Sequence, residues 1–144
     1  MKYDAIKVGK LLTAFKQAQN RLLNLARLSE EEFLAEPDKI GSAKYQFIVA
    51  IEAAIDLSNH IIAQNNLRVP EDYADSFRIL GENGIVPPEF AATLISMARF
   101  RNRLVHIYWD VDNNTLYNIL KNNLQDLDTF LKTIIKLFSD AKRL

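Results

Sequence analysis

From about Ser42 to Asn66 the chain keeps the rhythm of an α-helix. Tyr45, Ile48, Val49, Glu52, Ala53, Asp56, Leu57, His60 and Ile61 fall three or four residues apart, and Asn65, Asn66 and Pro70 close the run. A helix of that length with an apolar side needs other helices to cover it, and the rest of the chain supplies them. Segment 4 to 27 carries Ile6, Val8, Leu11, Leu12, Phe15, Ala18, Leu22, Leu25 and Ala26 at helical spacing. Residues 72 to 82 read as a shorter helix stopped by Gly81 and Gly84, and Pro87-Pro88 opens another from about Glu89 to His106 or slightly beyond. Asp112-Asn113-Asn114 signals a cap before one last helix. Its inner face is Leu116, Ile119, Leu120, Leu124, Leu127, Phe130, Leu131, Ile134 and Phe138. Between the first two long helices, Ser29 and Glu32 make a capping box for a short turn that Pro37 cuts off. Asp38 is the expected N-cap of the long helix, with Gly41 weakening its first turn.

No segment alternates with period two for long enough to form a strand, and no repeat appears. Gly and Pro number four each, which suits long regular elements. The expectation is therefore all-α: an up-and-down bundle of four principal helices plus short extra ones, in a single domain over residues 1–144. With 49% hydrophobic residues the chain can bury a core. It has no Cys, which removes disulfides and thiol nucleophiles. MKYDAIKVGKLL is no signal peptide, and no apolar run approaches the roughly 20 residues of a membrane span. A cytoplasmic protein with no membrane partner is expected.

The formal net charge is zero, which argues against simple electrostatic binding of nucleic acid. The charges are nevertheless blocked. Lys2, Lys7, Lys10, Lys16, Arg21 and Arg27 precede an acidic run of Glu30, Glu31, Glu32, Glu36 and Asp38, and Arg99, Arg101 and Arg103 cluster later. Solvated helix faces account for the first two blocks; the third sits in the chemically richest stretch of the chain, Arg99 to Asp110.

There, Asn102 and His106 are four apart and share a helix face, whereas Arg101 and His106 are five apart, roughly 140° round an ideal helix. Both can reach one ligand if Arg101 stretches across the face or the helix frays near Tyr108. A histidine that titrates near neutrality, a planar cation that fits phosphate oxygens and an amide are the parts needed to cleave RNA without a metal or other cofactor. The same residues can also merely satisfy the carbonyls and dipole of a helix C-terminus. A second group, Glu52, Asp56 and His60, lies on one stripe of the long helix. It fits a polar cleft wall or a buried hydrogen-bonded group better than a metal site, for it lacks the Glu-x-x-His pairs of di-iron bundles.

Arg101-Asn-Arg-Leu-Val-His106-Ile-Tyr108 matches the R-x4-H-x-Y signature of the HEPN superfamily, in the form that resembles HepT toxins. Phe47 to Ile62 is similar to that family's long second helix, and Tyr73 to Leu80 with Ile85-Val-Pro-Pro88 to the segment before its motif helix. The resemblance implies a metal-independent endoribonuclease acting as a homodimer on RNA, with Arg101 and His106 catalytic and Asn102 supporting. It implies Glu52, Asp56 and His60 as polar lining of the cleft. It further implies a partner antitoxin of minimal nucleotidyltransferase (MNT) type that silences the toxin by transferring AMP to Tyr108. The alternatives are a non-catalytic HEPN module that binds RNA, a nucleotide or such a partner, and a purely structural bundle with no RNA interaction.

Overall fold

A computed structural model describes residues 1–106 and 111–143. Seven helices are formed among these: α1 (Ala5–Leu25), α2 (Glu30–Leu34), α3 (Pro37–Gln64), α4 (Tyr73–Glu82), α5 (Pro88–Val105), α6 (Asn113–Asn122) and α7 (Leu124–Arg143). Four of them, α1, α3, α5 and α7, run 18 to 28 residues; the others are short. This is the all-α bundle the periodicity predicts. The centre is α3, which packs against α1, α2, α4, α5 and α6, while α7 closes on α1 and α6. Ala43, Ala50, Ala54 and Ser58 of α3 are fully buried, and such small side chains let neighbouring helices approach closely. Phe15 of α1 and Phe77 of α4 both meet Phe130 of α7, at ring distances of 5.9 and 6.1 Å. By length and composition α3 could cross a membrane, but 67% of its most apolar window is buried within the bundle, as expected of a core helix.

Local chemistry sets the helix ends. Asp4 accepts from Ile6 and Lys7 N–H to start α1, and Ser29 and Glu32 form the expected capping box of α2. Two helices end in Schellman turns. After α4 both bonds of the motif form, Ile85 N–H to Leu80 O and Gly84 N–H to Gly81 O, with Gly84 at φ 69°; at the end of α3 the longer bond forms, Leu67 N–H to Ile62 O, with Asn66 at φ 55°.

Two expected boundaries are displaced, and one expected stop residue lies inside its helix. The long helix is not capped by Asp38: it begins at Pro37, whose fixed φ and missing N–H suit the first helical position, and Asp38 sits in the first turn. Gly81 does not stop α4, which runs on to Glu82. The expected last helix is two, parted at Asn123: Asn122 Nδ2 competes for the backbone by donating to Asn118 O, and Asn123 Nδ2 donates to the Asp126 carboxylate in the first turn of α7.

Gly81 serves packing rather than termination. A Cβ there would lie 2.8 Å from the Cβ of Ala91, where α4 presses on α5. Gly81→Ala gains about 1 kcal/mol of helix propensity but overpacks the contact, which typically costs about 1–3 kcal/mol. We expect a net loss of up to about 2 kcal/mol in urea denaturation. Ala91→Gly should harm the Gly81→Ala protein less than it harms the wild type, a coupling that a double-mutant cycle measures.

Candidate active site

The last two turns of α5 bring Arg99, Arg101, Asn102 and Arg103 to one end of the bundle. Arg99 and Arg103 face solvent, whereas the Arg101 side chain is 14% exposed and crosses to α3. There its Nε and Nη2 donate to a single oxygen of Glu52, at 3.1 and 2.5 Å. Its Nη1 donates to Asn102 Oδ1 at 3.1 Å. The guanidinium carbon lies 4.8 Å from the centre of the Tyr73 ring, at the start of α4. Three helices thus fix one cation. The Glu52 carboxylate is 42% exposed, so the pair is worth no more than about 1 kcal/mol of stability. Its effect is orientation. Three of five guanidinium N–H groups are engaged, and one on each Nη remains to meet an anion.

His106 ends α5. Its N–H still closes on Asn102 O at 3.1 Å, but its backbone turns to φ −88°, ψ 103° and leaves the helix. The residue therefore keeps register with Asn102 without being bound to an ideal helical face, and it is half-buried. Tyr108, the remaining motif residue, lies outside the described residues.

The stripe on α3 does not act as one wall. Glu52 is turned to Arg101; with Ile55, Asp56 and Tyr73 it borders a concavity of about 220 Å³. Asp56 also borders a second concavity, of about 490 Å³, between α3 and α1, where it meets Lys7, Asn59, His60 and Gln64. Removal from water and the neighbouring Glu52 charge raise the Asp56 pKa, partly offset by Lys7. His60 is 5% exposed, and its Nε2 accepts the Asp4 backbone N–H at 2.9 Å. That bond assigns the tautomer: the ring is neutral, with its proton on Nδ1. Burial and then Lys7 hold its pKa below the ordinary value, against the opposing pull of Asp4. Three side chains spread over eight residues of helix, about 12 Å of rise, and with separate partners do not converge on one ion.

Two contributors were not singled out as site residues by spacing or motif, Tyr73 and Lys7. Both act across elements, Tyr73 on Arg101 and Lys7 on Asp56 and His60, and no periodicity registers that. The one local hint is an aromatic residue opening a helix directly after the N-cap Asp72.

Such a bundle, with a clamped arginine and a histidine at the end of one helix, defines a class of small helical proteins built around a cationic site. The profile of the family described as ribonuclease HepT-like matches residues 12–134, and the chain belongs to that family. It is 31% identical over 83 residues to the mRNA nuclease HepT of Shewanella oneidensis; that match spans 58% of this chain and 62% of the relative's length. It is 30% identical over 131 residues to the tRNA nuclease HepT of Aphanizomenon flos-aquae, covering 88% and 82%. Among solved structures, the fold matches a tri-AMPylated Shewanella oneidensis HEPN toxin in complex with MNT antitoxin, with TM-score 0.83, 23% identity and 90% and 96% coverage. It also matches the cytosolic protein of unknown function YutE from Bacillus subtilis, with TM-score 0.79, 23% identity and 96% and 93% coverage.

His60 makes stability depend on pH. Because its pKa is lowered in the fold, the unfolded chain binds the proton more readily. The stability it contributes is whole above the unfolded value near 6.5 and is lost as pH falls below that toward the lowered folded value. Urea denaturation between pH 8 and pH 5 should show wild type losing stability on acidification, and His60→Gln should show a visibly flatter dependence over the same range. Equal slopes for the two proteins would contradict the assignment.

Proposed function

We infer that this chain is the ribonuclease toxin of a toxin–antitoxin pair, cutting RNA by acid–base chemistry without a metal. The observation that carries this reading is Arg101, held by Glu52, Asn102 and Tyr73 with one N–H free on each Nη, five residues before His106 in a chain of the HepT-like family. The 2′-hydroxyl of the ribose attacks its own 3′-phosphate: the O2′–P bond forms, the P–O5′ bond breaks, and a 2′,3′-cyclic phosphate and a 5′-hydroxyl result. His106 takes the 2′-hydroxyl proton or supplies a proton to O5′. Arg101 holds the non-bridging oxygens as charge builds on them, and Asn102 keeps the guanidinium in its plane. One imidazole serves one end of the reaction at a time, so a homodimer that brings two motif copies to one cleft would supply both. The names of the Shewanella and Aphanizomenon relatives, one an mRNA nuclease and the other a tRNA nuclease, support RNA as the substrate class.

Glu52 favours a rival reading, because it already neutralises Arg101, as suits a non-catalytic module that binds RNA or a partner. Cleavage assays separate the two. EDTA should leave the rate nearly unchanged, and RNA with a 2′-deoxy at the cut site should survive. His106→Ala should lower the rate by roughly 10²–10⁴-fold with circular dichroism unaltered, and Arg101→Ala by a similar factor. Inhibition by EDTA that Mg²⁺ or Mn²⁺ reverses, or an active double variant, would remove this mechanism.

The off switch in this reading is a nucleotidyltransferase antitoxin that transfers AMP from ATP to the Tyr108 hydroxyl, releasing pyrophosphate. The Shewanella toxin, AMPylated and bound to MNT antitoxin, supports it. An adenylyl group two residues from His106 adds a negative phosphate and a bulky base where RNA must dock. Incubation with an MNT-type nucleotidyltransferase antitoxin and ATP should add the mass of AMP to the Tyr108 peptide and abolish cleavage. A Tyr108→Phe protein that the same mixture still silences fully would show that the partner acts by occlusion instead.

A further inference from the structure

The concavity between α1 and α3 lies one helical turn from the Arg101 clamp and shares Asp56 with the smaller hollow beside it. Its lining is unusual in being pre-oriented. The His60 ring is 5% exposed, its Nε2 is occupied by Asp4 N–H, and among the described residues its Nδ1–H meets no hydrogen-bond acceptor. Asn59 is turned by Ser76, whose hydroxyl donates to Asn59 Oδ1 at 2.6 Å, so the amide presents both N–H groups elsewhere. Lys7 adds an ammonium from the first turn of α1, and Gln64 a second amide. Asp56 is the carboxylate acceptor among these donors.

That set selects its ligand. A bare phosphate would meet Lys7 but also the Asp56 carboxylate. An apolar ligand would leave the His60 and Asn59 donors unpaired, which costs more than it gains. A ligand must offer an anion or several acceptors at one side and an N–H donor at the other, which describes a nucleotide: phosphate toward Lys7 and a base edge toward Asp56 and Asn59. The volume of about 490 Å³ suits one such unit. We propose that the Lys7–Asp56–Asn59–His60 concavity is a nucleotide subsite that holds the residue next to the scissile bond of single-stranded RNA. This rests on the ribonuclease reading for the position of the scissile bond, but not for the binding itself.

The test uses the full chain and a fluorescent single-stranded oligoribonucleotide carrying 2′-O-methyl groups throughout, which 2′-hydroxyl attack cannot cut. Anisotropy titrations should show Lys7→Ala and Asn59→Ala each weakening binding roughly tenfold. Lys7→Ala should also reduce the slope of log K against log salt by about 0.7, the value for one phosphate contact on a single strand. A merely structural lysine would not move that slope. On the wild type, the ¹⁵N signal of His60 Nδ1 should shift as the oligonucleotide is added. Unchanged affinity and salt slope in both variants overturn the subsite, even where unmodified RNA is cleaved normally. Weakened binding in the variants of a chain that cuts no RNA supports the subsite and removes the ribonuclease reading alone.

Discussion

The burial of α3 is the constraint from which the rest follows. Five helices pack on it, so its side chains are settled before any site exists: Ile51, Ile55, Leu57 and Ile61 are all but inaccessible, and Ser58 returns its hydroxyl to Ala54 O. Beyond such buried groups as Ser58, the charged and amide side chains that could serve a site stand where the packing leaves a gap. Those places are Glu52, Asp56 and Asn59, each of which lines a hollow or meets a partner from another element. The candidate site is thus the part of the central helix that the bundle leaves uncovered, and α5 delivers Arg101 to it.

Periodicity made the helices legible because a core helix must repeat its apolar residues every three or four positions, and α3, α5 and the α6–α7 stripe all do. The boundaries were less legible where one residue type has two uses. Pro37 reads equally as a stop and as a first helical residue, and Gly81 equally as a terminator and as a place for close packing against Ala91. Only the tertiary contact decides. At Asn123 the apolar stripe continues through the break, so the pattern alone could not reveal it.

For the site, the motif points to one helix end and the stripe to one face of α3, and the fold brings Arg101 of the first against Glu52 of the second. The partnership between them was not written in either. Arg101 and Glu52 are 49 residues apart, and the reach of a guanidinium across two helices depends on their crossing, which spacing does not encode. His60 shows the same gap. Its place on the stripe suggested a cleft residue, and it does line a hollow, but half of its hydrogen-bonding capacity holds the start of α1. Asn65 adds to that staple, accepting from Lys2 N–H and donating to Lys2 O.

The five-residue interval between Arg101 and His106 places the two roughly 140° apart on a continuous helix, an awkward arrangement for one phosphate. Two departures from the ideal helix remove the difficulty. Arg101 leaves its own radial direction to reach α3, at little energetic gain, since a half-exposed ion pair contributes no more than about 1 kcal/mol. His106 leaves the helix, its backbone turned to φ −88°, ψ 103° while its N–H stays bonded to Asn102 O. In the proposed ribonuclease the first departure yields a cation that needs no rearrangement when charge develops on phosphate, where one well-placed donor is worth roughly 2.7–4 kcal/mol. The second gives the imidazole a direction that the helix does not dictate. A histidine one turn earlier would be fixed by the regular backbone; at the C-cap its direction follows from its own extended φ and ψ.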